Sequence, residues 1–296
     1  MNDERKYKLI KLIITLVGML PRQTLNFFSD LLGLIWYGLD KRHRNLVFEN
    51  IKHAYPGRFS SGQAERFVKK VFKNIAGIPF ELIWTYGKTY DELSEYFLVK
   101  GSRHIKNARK KGRGIILLSC HMGNFELQID AFPKVDMKPP NIIYRKLDFK
   151  PLERLMLEMR QRFGAVLIPT GGATAKIDTI LESDGVMGTL FDQNAEWHNG
   201  VVTMFFGRPA CSKYSLAKLV LRSKASVVPT FLVRENDKYI LEFLPEVPLQ
   251  TTGCPIKDLE NNSQNYVSAI ESIVRRFPEQ YFWVHNRWKT KPYSII

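Results

Sequence analysis

Residues 114–126 read GIILLSCHMGNFE, and this stretch decides how the fold of the chain is interpreted. Its first six residues form a short apolar run, which suits a strand buried on both faces. The Gly and Asn that follow favour a turn, and FELQ at 125–128 then begins a helix. A strand that leads through a loop into a helix is typical of α/β folds, whose ligand sites gather just beyond the strand ends. His121 lies in that loop, and Glu126 lies in the first turn of the helix.

Similar apolar runs recur along the rest of the chain, and segments with helical spacing separate them. The runs are AVLIP at 165–169, VMGTLF at 186–191, VVTMFF at 201–206 and SVVPTFLV at 226–233. The polar stretch RENDK then predicts a turn, and YILEFL predicts the second strand of a hairpin. We therefore expect an α/β fold with a mixed, mostly parallel sheet that is flanked by helices.

For two helices, the sequence predicts where each begins and where it ends. Ser60 and Gln63 form a capping box for a helix over 61–78, which Pro79 follows. A second helix is predicted over 151–163, with Pro151 in its first turn and Gly164 at its end.

The start of the chain is unusually apolar. Residues 9–20, LIKLIITLVGML, contain Lys11 and stop before Pro21, so they fall short of the roughly 20 apolar residues that a spanning helix needs. Basic residues precede them, which is typical of a helix in the membrane interface. We expect a helix that lies in the membrane surface, and a true span and a buried core helix remain alternatives.

Composition indicates the class of partner. The chain of 296 residues has 44 Lys and Arg against 29 Asp and Glu, a formal charge of +15, which attracts anionic partners such as nucleic acid, anionic lipid or an acidic protein. The three cysteines are widely separated and odd in number, which argues against a disulfide framework or a metal site and favours a reducing compartment.

The pair His121 and Glu126 carries the first chemical hypothesis. A carboxylate beside an imidazole fixes its orientation, selects its tautomer and stabilises the imidazolium, so His121 is a candidate general base for a hydroxyl. The same spacing also occurs by chance in many chains. Cys120 offers a rival covalent mechanism, but side chains alternate along a strand, so Cys120 should enter the core if His121 enters the cleft.

Four segments in the same order resemble the bacterial lipid A acyltransferase family, of the late lauroyl and myristoyl type, within the lysophospholipid acyltransferase superfamily. They are HMGNFE at 121–126, IIYRKLD at 142–148, GTLFDQNAEWHNGVVTMFFGRPA at 188–210 and FPEQYFWVHNRWKTKP at 277–292. The resemblance covers most of the chain. Because no internal repeat, low-complexity tract or Gly/Ser linker divides the sequence, we expect a helical, membrane-associating lead-in at 1–55 and one acyltransferase domain at 56–296.

The resemblance implies direct acyl transfer with His121 as base and Glu126 as its partner, without cofactor or metal. Arg145 would lie near the donor carbonyl or an acceptor phosphate, and Asp192 would orient a donor group or cap a turn. The candidate substrate-binding residues are Asn124, Arg145, Asp192, Gln193 and Arg208. The oxyanion would bind to backbone N–H groups near Gly123 and Asn124, or to Arg145.

The implied donor is an acyl carrier protein, and the implied acceptor is a lipid A precursor or a similar glycolipid at the cytoplasmic face of a bacterial inner membrane with an anionic surface. Residues 100–113 hold seven basic and no acidic residues. This stretch could bind the acidic carrier, bind the anionic membrane, or have no specific partner. An acyltransferase that uses acyl-coenzyme A on a glycerophospholipid or another glycolipid is the alternative. A nucleic-acid-binding protein is a distant one, since no recognised nucleic-acid motif is present.

Overall fold

The computed structural model describes residues 2–135, 137, 139–171 and 173–290. Residues 291 and 292, which end the last of the four segments above, lie outside this range. In chain order the α-helices are α1 Asp3–Gly18, α2 Arg22–Leu39, α3 Lys41–Ala54, α4 Ser61–Tyr86, α5 Tyr90–Ser94, α6 Ser102–Arg109, α7 Lys150–Gln161, α8 Ala173–Glu182, α9 Ser215–Ser223 and α10 Pro255–Arg276. The strands are β1 Phe97–Lys100, β2 Ile115–Ser119, β3 Asn141–Tyr144, β4 Val166–Pro169, β5 Val186–Leu190, β6 Gly200–Phe205, β7 Arg208–Lys213, β8 Ser226–Glu235 and β9 Lys238–Phe243. In the part of the chain that the structure describes, the 3₁₀ segments Phe125–Val135, Trp197–Asn199 and Pro278–Gln280 complete the order.

Within the described residues, seven strands form one mixed sheet in the order β1-β9-β8-β2-β5-β3-β4. Strands β8, β2, β5, β3 and β4 run parallel to one another, and β9 pairs antiparallel with β8 as the predicted hairpin. The expected mixed, mostly parallel sheet with flanking helices is thereby confirmed.

The sheet separates two apolar cores. Alternate residues of β2 serve opposite sides: Ile116 and Leu118 pack with helices α4, α9 and α10, whereas Leu117 packs with the 3₁₀ segment Phe125–Val135. All five residues of β2 are buried, as its continuous apolar run predicts.

The run VVTMFF was expected in the same sheet, and this prediction is wrong. Among the strands that the structure describes, β6 pairs only with β7, in a separate antiparallel hairpin that packs against α10. The side chains of β6 alternate between buried and exposed: Thr203 and Phe205 are buried, whereas Val202 and Met204 are exposed. This pattern is typical of a strand with one face in contact with solvent.

Helix α4 continues past the end predicted for it. The capping box of Ser60 and Gln63 is present, but the helix extends through Pro79 to Tyr86. Proline costs the helix one backbone hydrogen bond. Burial of Glu81, Trp84 and neighbouring residues beyond the proline keeps the helix intact.

Helix α1 is held against α7 by a group of polar contacts, the α1–α7 clamp. Glu158 accepts hydrogen bonds from Tyr7 at 2.6 Å and from Lys11 at 3.0 Å. Arg154 pairs with Glu4 at 2.8 Å and stacks over the ring of Tyr7 at 3.8 Å. Helices α1 and α2 also pack on α4. In the described part of the chain, no helix has the length and apolar content needed to cross a membrane.

Candidate active site

His121 lies in the loop that follows β2, at the carboxyl end of the central parallel strands. The segment after α10 fixes this loop: Gly123 N–H donates to the Gln280 carbonyl at 2.9 Å, and Phe282 N–H donates to the His121 carbonyl at 3.0 Å. Gly123 has a φ of 54°, and a Cβ there would collide with the Leu232 carbonyl oxygen, so only glycine fits. Cys120 is 1% exposed in the core, as the alternation predicts.

Asp192 holds the imidazole of His121. The carboxylate follows β5, the strand beside β2, and is 4% exposed. One of its oxygens lies 2.8 Å from His121 Nδ1, and the other accepts the His121 backbone N–H at 3.1 Å. Because a carboxylate only accepts hydrogen bonds, Nδ1 carries the proton and Nε2 is the nitrogen that can take one from a substrate.

The electrostatic balance favours a basic histidine. Burial lowers the pKa of His121, but the charge and hydrogen bond of Asp192, with a smaller contribution from Glu126, outweigh it and raise the pKa above its usual value. For Asp192, burial alone would raise the pKa, yet the contacts with His121 lower it. The two shifts agree, since each group stabilises the charged form of the other.

Glu126, the partner expected from the sequence, makes its ion pair elsewhere. Its two carboxylate oxygens bind Arg160 of α7 at 2.7 and 2.9 Å in a fork. The hydrogen bond that orients His121 therefore comes from Asp192, and Glu126 acts on the imidazole only through its charge. Burial lowers the pKa of Arg160, but Glu126 outweighs it and raises the pKa.

A pocket of about 250 Å³ opens beside His121. It lies between the sheet face formed by β2, β5 and β3 and the 3₁₀ segment that covers this face. The lining includes Leu117, Ser119, His121, Phe125, Glu126, Gln128, Ile129, Phe132, Pro140, Ile142, Tyr144, Arg145, Arg160, Gly188 and Leu190. Polar and charged groups cluster near His121, and mainly apolar side chains continue inward, an arrangement that suits a ligand with a polar head and an apolar tail.

The structure places the other predicted residues in different surroundings. Arg145 lines the pocket and is exposed to solvent. Asn124 is 1% exposed and donates to Glu81 at 2.7 Å and to the Ile78 carbonyl at 3.2 Å, so it anchors the His121 loop to α4 rather than facing the pocket. Gln193 is exposed and does not line the pocket. Arg208 lies outside it, on the β6–β7 hairpin against Trp288.

Over residues 5–290, the chain matches the sequence profile of bacterial lipid A biosynthesis acyltransferases. It belongs to this family. The protein is therefore an acyltransferase, and the matched range contains both His121 and Asp192.

Curated relatives of this acyltransferase agree with the assignment. A lipid A biosynthesis acyltransferase of Haemophilus influenzae is 26% identical and covers 94% of this chain and 86% of its own. The lipid A biosynthesis lauroyltransferase of Escherichia coli is 23% identical, with 96% and 91% covered. A phosphatidylinositol mannoside acyltransferase of Mycolicibacterium smegmatis is 22% identical over 67% of this chain and 64% of its own.

Sequence reasoning missed two charged residues that support the site of this acyltransferase. Arg160 lies on the predicted helix at 151–163, but its position there gives no sign that it faces the pocket. Glu81 is 4% exposed, bonds Asn124 and pairs with Arg234 at 2.9 Å. A charged residue in an otherwise apolar part of α4 was the one signal for it.

Proposed function

We propose that this acyltransferase moves a fatty acyl group from an acyl carrier protein thioester to a hydroxyl of a lipid A precursor. The observation that carries the proposal is the His121–Asp192 pair at the head of a pocket with apolar inner walls. His121 Nε2 accepts the proton of the acceptor hydroxyl as the oxygen bonds to the acyl carbon. The C–S bond then breaks, and the leaving thiolate takes the proton from the imidazolium.

Asp192 serves this mechanism by positioning the ring and by stabilising the imidazolium. Glu126 contributes negative charge and fixes Arg160 at the pocket wall, which differs from the direct support of the ring expected from the sequence. The backbone N–H of Gly123 is already bound to Gln280, so it is not available to the oxyanion. Of the other two candidates, the Asn124 N–H and Arg145, we assign that role to Arg145, because it lines the pocket and Asn124 does not.

The acyl carrier is proposed to dock near Arg145. The basic stretch 100–113 begins on the edge strand β1, which β9 and β8 separate from β2, and it ends before the amino end of β2, whereas His121 follows the carboxyl end of β2. The stretch therefore lies away from the site. Lys146 and Lys150 adjoin Arg145 and are exposed, which gives an acidic carrier a basic surface at the pocket.

We further propose that the protein binds the cytoplasmic face of a bacterial inner membrane through α1 and α2. Exposed apolar side chains on these helices and the turn between them are Leu9, Leu12, Ile13, Leu16, Met19, Leu20, Phe27, Phe28, Leu31, Leu32, Leu34, Ile35 and Leu39. Leu147, Phe149 and Leu152 are exposed just after the pocket residue Arg145, and Lys6 of α1 lies over the Phe149 ring at 5.8 Å. The apolar surface thus reaches the pocket, and a glycolipid acceptor can enter from the membrane.

The test combines purified protein with lipid analysis. Wild-type protein should transfer the acyl group from the carrier thioester to a lipid A precursor, and His121→Ala should abolish transfer while keeping its circular dichroism spectrum. Mass spectrometry of lipids from cells without the protein should show a lipid A that lacks one acyl chain. Full activity of the folded His121→Ala protein would overturn the mechanism.

A second acceptor is supported by one comparison. The similarity to a phosphatidylinositol mannoside acyltransferase favours another glycolipid as the alternative acceptor. Unchanged lipid A and a missing acyl chain on another lipid in the same mass spectra would support it.

A further inference from the structure

The inner part of the pocket contains a glycine in the middle of a strand. Gly188 is buried in β5 and pairs with Leu117 of β2 on one side and with Ile142 of β3 on the other. All three residues line the pocket. Glycine in a strand interior weakens the strand, and often marks a place where another group must approach closely.

The backbone does not require glycine at this position. Gly188 is not among the residues with positive φ, so an L-amino acid can adopt its conformation. A Cβ at Gly188 would meet one group, the Cδ1 of Ile142, at 2.5 Å. That atom is the end of a side chain in the pocket wall. Any side chain at 188 would therefore push Ile142 or reduce the pocket itself.

The position along the strand indicates which part of a ligand passes Gly188. Gly188 pairs with Leu117, which precedes His121 by four residues, and β2 ends at Ser119, so the glycine lies at most about 13 Å from the histidine along the strand direction. The polar groups lie near His121, and the 3₁₀ residues Ile129 and Phe132 cover the inner part of the pocket. An acyl chain whose thioester is at His121 would bring its tail, not its carbonyl, to Gly188.

We propose that Gly188 and Ile142 together determine which acyl-chain lengths this enzyme accepts. The proposal rests on the acyl transfer proposed above. The missing side chain at 188 leaves the space that the chain tail occupies, and Cδ1 of Ile142 forms the facing wall. Adding one carbon at 188 shortens or narrows the pocket, and removing Cδ1 enlarges it.

Four variants test the pair: Gly188→Ala, Ile142→Val, the double variant, and Met187→Leu as the control. Met187 lies on the same strand but packs into the opposite core. Valine lacks the atom that a Cβ at 188 would strike, so the double variant should recover the wild-type pocket. The measurement is kcat/KM for carrier thioesters of increasing even chain length, with a shared acceptor.

Gly188→Ala should lower kcat/KM for the longest accepted chain relative to the shortest by about 10-fold or more, because one methylene in an apolar pocket changes specificity by about 10- to 200-fold. Ile142→Val should shift preference toward longer chains, the double variant should return toward wild type, and Met187→Leu should leave the profile unchanged. If Gly188→Ala does not fold, Ile142→Val alone tests the proposal: a shift of the chain-length preference toward longer chains supports it, and any other result contradicts it.

The outcomes separate this inference from the proposed function. Wild-type protein that transfers no acyl chain from any thioester would refute the proposed function. Active variants with the wild-type length profile, or a double variant no closer to wild type than Gly188→Ala, would refute the role of Gly188 and Ile142 and leave acyl transfer intact.

Discussion

Asp192 and Glu126 both place negative charge near His121, but they differ in contact. Asp192 bonds the imidazole directly, whereas Glu126 forms its ion pair with Arg160 and acts on His121 only through its charge. We predict that Asp192→Asn lowers kcat/KM by about 100-fold or more, because general-base catalysis depends on the orientation and basicity of the ring. The measurement is a pH profile of kcat/KM for both Asp192→Asn and Glu126→Gln.

The sign of the pH effect follows from the raised pKa of His121. A base must be neutral, so wild-type activity rises with pH through that pKa and is full above it. Without the Asp192 charge, burial dominates and lowers the pKa, so the rise moves to lower pH. Glu126→Gln should move it in the same direction by less. A larger shift for Glu126→Gln would restore Glu126 as the main partner of the histidine.

Cys120 precedes His121 but belongs to the core. Burial raises the pKa of its thiol well above the usual value, which disfavours the thiolate needed for nucleophilic attack. We predict that Cys120→Ala keeps nearly wild-type turnover and loses about 1–2 kcal/mol of unfolding free energy from the small cavity. Steady-state kinetics and chemical denaturation check both. A folded, inactive Cys120→Ala protein would favour a covalent acyl-enzyme.

At the scale of single residues, the sequence identified candidate site residues but did not predict which side chains contact one another. His121 was predicted as the base from its place after a strand, and Arg145 was predicted at the site, where it now lines the pocket. The ion pair of Glu126 was not predictable, because Arg160 follows it by 34 residues and comes to the pocket on another helix. Asp192 was singled out, but its bond to His121 requires knowing that β5 lies beside β2.

At the scale of elements, the contact between α2 and α4 depends on a small residue. A Cβ at Gly33 would lie 2.7 Å from the Cα of Lys73, so the backbones of the two helices approach closely here. Gly38, on the same helix, has open space around it. We predict that Gly33→Ala lowers the free energy of unfolding by about 1–3 kcal/mol through overpacking.

Gly38→Ala is the matched control for this prediction. It should be neutral or raise the free energy of unfolding by up to about 1 kcal/mol, because alanine has the higher helix propensity. Urea denaturation followed by circular dichroism measures both changes. Equal effects of the two substitutions would show that helix propensity, not the contact with α4, governs Gly33.

The elements themselves were largely predictable because their apolar patterns are local. The strands β2, β4, β5 and β8 match the predicted runs within one or two residues. The pattern did not identify β1 or α10, and it overestimated the effect of Pro79, whose lost hydrogen bond is offset by packing on both sides. It also could not separate the β6–β7 hairpin from the sheet, since pairing partners are not encoded in a strand's own residues.

At the scale of the molecule, the exposed apolar side chains of α1 and α2 depart from an ordinary soluble surface. Leu12 and Leu16 are 56% and 57% exposed. We predict that the double substitution of these two leucines by Asp weakens binding to vesicles with anionic lipid by about 100-fold or more, since burial of each leucine contributes about 1.5–3 kcal/mol. Sedimentation with vesicles is the measurement.

Leu98→Asp is the control, because Leu98 is also exposed but lies on the edge strand β1. It should leave vesicle binding unchanged. Added salt should weaken binding of the wild-type protein, because its charge of +15 contributes. Undiminished binding of the protein with Asp at 12 and 16 would place the membrane contact on another surface.

The α1–α7 clamp has a practical consequence for protein production. Glu158, which binds Tyr7 and Lys11, is separated by one residue from Arg160, the partner of Glu126 in the pocket. A shortened protein that begins after α1, the obvious choice for improving solubility, would remove Tyr7 and Lys11 from Glu158 and Glu4 from Arg154, which weakens the support of the helix that carries Arg160. Detergent, or substitution of exposed apolar residues, is therefore a better route to a soluble sample than truncation. Truncation would improve solubility but weaken the support of the pocket wall.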